Sequence, residues 1–276
     1  MQITTRDVHI VIQEYCIDLK QLYTNESDRA GFDKRWEDFY RSDGTHPCVY
    51  SRAEKDKLTY RSESFIPTKK DDRYPLLLVV GNPASHSVAS GMCFAFEGDG
   101  KEHRFWKGLR EAKLLEFKEP PGGDSFSVDE WSRYRKECLF DLDYDSPFRI
   151  GITVFFSLPS PASDKTWSGV SGIRKLLGQD AFNRITEAEQ LRMEQVVGNF
   201  MPNSGGMLVF QKDAYEAVRQ PSDPEYSLDL ARKGELIGTY RGNPGVVVMG
   251  VAPTRLMLSH KLGESLVRYA RDLAAH

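Results

Sequence analysis

The sequence predicts an α/β chain: a three-layer α/β/α sandwich around a central, mainly parallel four-stranded sheet, with an N-terminal helical extension. Three observations predict it. Leu76–Val80 is an unbroken apolar run, the pattern of a strand covered on both faces. Comparable runs recur at Arg149–Ser157, Met207–Gln211 and Gly245–Val251. The stretches between them carry helical spacing and are too long for hairpins, so parallel strands joined by crossovers follow.

Along the chain, Val8, Val11, Ile12, Tyr15, Cys16, Leu19, Leu22 and Tyr23 step by threes and fours, which predicts a helix over 8–23 with Asp7 as its cap. A second helix is predicted over 31–40, with Phe32, Trp36, Phe39 and Tyr40 on one side. Residues 41–74 are polar and charged and read as loop. The organisation expected is an extension over 1–74 packed on a core domain over 75–276. After the first core strand, Gly81-Asn82-Pro83 is a turn that ends any helix. Phe105, Leu109 and Ala112 mark a helix opening near His103, and another is expected around Val128–Cys138. The second strand is Arg149–Ser157, ended by Leu158-Pro159-Ser160-Pro161. A short helix over 170–177 and a longer one opened by a capping box at Thr186–Glu189 come next. The third strand leads into a helix at Asp213. Residues 221–244 hold three prolines and three glycines and read as an irregular excursion; the fourth strand ends at Ala252-Pro253, and a terminal helix is expected from about Ser259.

Composition narrows the function classes. The chain has 276 residues, 40% hydrophobic and 28% charged, with a formal net charge of −3. That is an ordinary globular balance, with no apolar run of the ~20 residues a membrane span needs. The N-terminus lacks the basic start and apolar block of a signal peptide, so a cytoplasmic protein is expected, with no membrane partner. A charge of −3 gives nucleic acid no support, although a basic patch can sit inside a neutral total. Cys16, Cys48, Cys93 and Cys138 are too scattered for a zinc or iron–sulfur spacing and are read as structural or incidental thiols. Asp141–Asp145 begins like a calcium loop, but Ser146 and Ile152 stand where that loop needs Gly and Glu. No phosphate-binding G-x-x-x-x-G-K and no G-x-S-x-G elbow is present. Neither metal nor cofactor is expected.

Two stretches say something more specific. Asn82-Pro83 at a strand end, a small-residue loop with Gly91 and Phe94, and then Arg104-Phe105-Trp106-Lys107 resemble the first motif of the uracil-DNA glycosylase superfamily. The nearest branch is that of the mismatch-specific uracil and thymine glycosylases. Ala252-Pro253-Thr254-Arg255-Leu256-Met257 is similar to the family's last motif, and Leu208–Val218 to its third strand and helix. The resemblance covers about 75–276.

What it implies is a DNA glycosylase, acting as a monomer on uracil or a related damaged base with water and no cofactor. Such an enzyme flips its nucleotide out of the stack, since the glycosidic carbon is out of reach inside a duplex. By resemblance Asn82 positions the water, Gly81, Pro83, Phe94 and Ala252 surround the base with Phe94 stacked beneath it, and Leu256 wedges into the duplex. Arg174, Lys175, Arg255 and Lys261 form a phosphate rim. Two departures count against hydrolysis: Ala252 stands where the family has His or Asn, and Val154–Ser157 offers no amide for a pyrimidine edge. A donor of the oxyanion type is worth ~3 kcal/mol, roughly a hundredfold in rate. The alternatives are therefore a glycosylase fold that binds DNA or a nucleotide without cutting it, and a small-molecule α/β enzyme using the same strand mouth. Each residue also has a plain structural reading: a common Asn-Pro turn, core aromatics, and solvated charges.

Overall fold

The computed structural model describes residues 4–7, 12–94, 102–120 and 126–252. In chain order its elements are β1 (Thr4–Asp7), β2 (Ile12–Asp18), α1 (Leu19–Leu22), α2 (Glu26–Arg41), α3 (His46–Val49), β3 (Tyr50–Ser51), β4 (Lys57–Phe65), β5 (Tyr74–Val80) and α4 (Ser85–Ser90). Then come α5 (Arg104–Glu111), α6 (Val128–Asp141), β6 (Phe148–Val154), α7 (Gly169–Leu177), α8 (Gln179–Phe200), β7 (Gly205–Val209), α9 (Lys212–Val218), α10 (Leu228–Lys233), β8 (Ile237–Thr239) and β9 (Val246–Gly250). The chain forms two compact units. The first contains 1–64, 81–93 and 154–193, and the second 65–80, 94–153 and 194–276.

In the first unit β1 pairs antiparallel with β2, β2 with β4, and β3 with β4. Residues 12–18 alternate, Tyr15 and Ile17 burying their side chains, and Asp18 then caps α1 by accepting from the amides of Lys20 and Gln21. The aromatic face of α2, with Phe32, Trp36 and Phe39 buried, is the centre of this core. Trp36 and Phe39 meet Tyr50 edge-on, and Phe39 meets Trp167 in the same way at 6.0 Å. Tyr23 and Arg35 donate to the carbonyls of Leu177 and Leu176, fixing α2 against the end of α7.

In the second unit the strands run in the order β6-β5-β7-β9-β8. β5 pairs parallel with β7 and β7 with β9, while β8 is antiparallel to β9. Leu76–Val80 are all buried, as the unbroken apolar run required.

The α/β class holds, and the finer expectations change. The sheet structure is mixed, with antiparallel pairs at both β2–β4 and β8–β9, and is not a four-stranded parallel sheet. Residues 12–18 are a strand where a helix was expected, and the polar stretch after 41 holds α3, β3 and β4. The N-terminal part is thus not simply helical. The excursion over 221–244 contains α10 and β8. Helix α8 opens at Gln179, so Thr186–Glu189 lies within it, where the Thr186 hydroxyl donates back to the Phe182 carbonyl. A capping box does exist, at Ser127 and Glu130 of α6, with both reciprocal bonds made. The terminal helix from Ser259 lies outside the described residues.

Candidate functional site

The chain leaves β5 at Gly81, whose carbonyl accepts from the Phe156 amide at 2.8 Å. From there two loops of the first unit run side by side. Ser160 N donates to Pro83 O at 3.0 Å, Ser85 N donates to Ser160 O at 2.9 Å, and Ala84 and Ser160 form a parallel bridge. Between these loops lies the carboxamide of Asn82. Its Nδ2 donates to Ser160 Oγ at 2.9 Å, Leu158 O at 3.2 Å and Pro83 O at 3.3 Å. Two of those partners are carbonyls, which only accept, so the NH2 must face them and Oδ1 must face away. Among the described residues nothing donates to that oxygen. A half-buried acceptor is thereby held in one orientation at a strand mouth.

The partners are themselves fixed. Ser160 Oγ also accepts from Gly169 N, the first residue of α7, at 2.8 Å. Tyr50 donates to the Pro159 carbonyl. Further back, the Glu189 carboxylate, fully buried, accepts from Ser157 N at 2.5 Å and from the Ser157 hydroxyl. Its other oxygen accepts from Arg192 Nε at 2.5 Å, and Arg192 also donates to the carbonyls of Val154 and Phe155. Burial acts to lower the Arg192 pKa, but the Glu189 charge and hydrogen bond outweigh it and raise it. Tyr60 shares a hydrogen bond with Ser157 Oγ at 2.7 Å and is driven well above the usual phenol range, chiefly by burial. Ser157 is fully buried, so this network holds the loop and offers no nucleophile. On α4, burial lowers the pKa of half-buried His86, partly countered by Asp43, so its neutral imidazole is favoured at neutral pH.

Phe94 belongs to the second unit and is half-buried. Its ring stacks on Phe105, centroids 4.1 Å apart at 24°, and lies 4.8 Å from His103. The backbone there has φ of 52°, an uncommon conformation for a bulky residue and worth ~1–3 kcal/mol of strain. The Trp106 indole donates to the Phe94 carbonyl at 2.9 Å and holds it. Ala252, half-buried just beyond β9, carries no polar side-chain atom.

Of the residues singled out in the sequence, Gly81, Asn82 and Pro83 are brought together with Ser160. Arg174 and Lys175 lie in the last turn of α7, at the opposite end from the Ser160–Gly169 bond. Arg174 covers the Phe182 ring at 4.6 Å and Lys175 the Trp167 ring at 4.9 Å. Arg255, Leu256 and Lys261 lie outside the described residues. Sequence reasoning missed Ser160, Leu158, Ser157, Glu189 and Arg192. A serine between two prolines at a strand mouth was the available signal for Ser160, whereas a glutamate in mid-helix gave none. Among the described residues no group of His, Cys, Asp or Glu is placed to hold a metal ion, and no helix is long and apolar enough to cross a membrane. No protein-family model matches the chain, and no curated protein matches it.

Proposed function

We propose that the protein hydrolyses the N-glycosidic bond of uracil or a related damaged base in DNA, with Asn82 positioning the attacking water. The observation that carries this reading is the locked carboxamide, whose two N–H groups are shared among three acceptors and leave Oδ1 as a fixed acceptor. A water donating to that oxygen has its lone pair free for the anomeric carbon. The carbon–oxygen bond forms, the carbon–nitrogen bond breaks with its electron pair going to the base, and the water's proton is released to solvent. Fixing water and sugar together is where such a site gains most, since orientation alone supplies ~7–11 kcal/mol in favourable cases.

Ala252 favours a second reading, a glycosylase-like protein that binds DNA and does not cut it. With no donor at that position the departing base anion goes unsupported. The two separate in one assay: incubating the protein with oligonucleotides carrying U·G, xanthine, hypoxanthine or an oxidised pyrimidine, and measuring free base. Hydrolysis predicts release from at least one, abolished by Asn82→Ala and lowered about tenfold by Ser160→Ala, which removes the nearest of the three acceptors. Salt-dependent DNA affinity with no release from any substrate selects the second reading and rejects the first.

A further inference from the structure

The second unit contains a cavity of about 520 Å3 in which the reading of Asn82 plays no part. Its floor is Arg135, only 8% exposed, with the guanidinium 5.4–5.8 Å from the ring centres of Trp131, Trp106 and Phe117. Arg135 donates to Glu102 Oε1 at 2.7 Å, and Arg110 donates to the same oxygen at 3.2 Å. Phe126 stands edge-on to Trp131 at 5.6 Å, and Phe117, Phe126 and Trp131 are all half-buried, so ring surface is open to an occupant. The exposed residues Glu116 and Glu119 also line it, and neither carboxylate is paired among the described residues.

Each feature selects ligand chemistry. The volume suits a molecule of nucleoside size. Walls of aromatic rings favour a planar π-system over an aliphatic one. Among the described lining residues three carboxylates face two guanidiniums, both of which donate to Glu102, so the lining carries a net negative charge that disfavours a phosphate. The cationic position among the rings is already filled by Arg135, which disfavours an ammonium group. What remains is an uncharged planar heterocycle. Ionised carboxylates only accept hydrogen bonds, so its edge must present N–H donors. Guanine alone of the common bases sets two such donors, N1–H and the 2-amino group, side by side to match one carboxylate. We propose that this cavity binds a guanine base, stacked on the Trp131 ring with Phe126 against its rim and read on its donor edge by Glu116 or Glu119.

The test is calorimetric titration of the full chain with guanosine, adenosine, uridine and guanosine monophosphate. Guanosine should bind at least about tenfold more tightly than adenosine or uridine, the discrimination expected of a charge-assisted bond, and more tightly than its own monophosphate. Trp131→Ala should weaken it about five- to a hundredfold, the loss of one base–aromatic stack. Phe126→Ala, on a half-exposed ring, should weaken it too and serves if the tryptophan variant fails to fold. Either Glu116→Gln or Glu119→Gln should erase the preference for guanosine. No guanosine heat at millimolar concentration, equal affinity for the three nucleosides, tighter binding of the monophosphate, or unchanged affinity in both ring variants would overturn the assignment.

Discussion

On β4 the carboxyl of Glu63 is 4% exposed, and its Oε2 has no hydrogen-bond partner among the described residues. Burial alone pushes its pKa up to about 8. The folded protein then holds this proton between pH 4.5 and 8 while the unfolded chain has released it. Because the folded state binds more protons, stability is greatest at the acidic end of that window and falls as pH rises through it, by roughly 1.4 kcal/mol per unit in the middle. Above pH 8 the loss levels off. Glu63→Gln should remove that slope, leaving a protein more stable than the parent at pH 9 and less stable at pH 5, where the amide brings new donors into a buried site. Urea unfolding from pH 5 to 9 measures it, and parallel pH curves for the two proteins would refute the buried-proton account. Legibility at this scale is uneven for a physical reason. Asn82 was visible because Asn-Pro after an apolar run is a local signal. Glu63 was not, since burial is decided by what packs around it, and a carboxylate flanked by Ser62 and Ser64 reads as solvated.

Helix α7 shows how little room an element has where it meets the site. A Cβ on Gly172 would lie 1.9 Å from the carbonyl oxygen of Trp167, which is backbone and cannot swing aside. Gly172→Ala must therefore displace either the 163–168 turn or the start of α7, costing about 1–3 kcal/mol. The start of α7 is Gly169, whose amide holds Ser160 Oγ and through it Asn82. The same substitution should thus lower the melting temperature and loosen the carboxamide together. Gly198 on α8 is the control: it is exposed, no atom lies within 4 Å of a Cβ there, and Ala should stabilise by ~0.5–1 kcal/mol. Thermal melts of the two variants, moving in opposite directions, are expected. Elements with one plain local signal, helical spacing in α2 and an unbroken apolar run in β5 and β9, were readable from sequence. Residues 8–23 were misread because a strand over 12–18 followed by one helical turn places Tyr15, Leu19 and Leu22 at the same spacings as a helix. β4 was missed because its buried face carries Tyr60, Ser62 and Ser64, and hydropathy does not register a polar inward face.

At the scale of the molecule, local pattern says little about which segments share a core, because that depends on contacts between residues far apart in the chain. The core of the first unit joins residues below 64 to residues above 154. Phe39 packs on Trp167, Tyr23 donates to Leu177, Tyr50 to Pro159, and Tyr60 bonds Ser157. A fragment of 75–276, the part that resembles a glycosylase, would keep Trp167, α7 and the Ser157–Glu189 bond but lose every one of those partners. It would uncover the faces that Phe32, Trp36 and Phe39 now bury, each such side chain worth ~1.5–3 kcal/mol. Together that is comparable with the ~5–15 kcal/mol by which a whole folded protein is stable. The fragment is therefore expected to leave 154–193 open to protease and to show no cooperative melt for that segment, while the full chain resists cleavage there. Limited proteolysis with mass mapping decides it: a protected 154–193 in the fragment would mean that residues 1–64 are an appendage and that the core of the first unit stands without them.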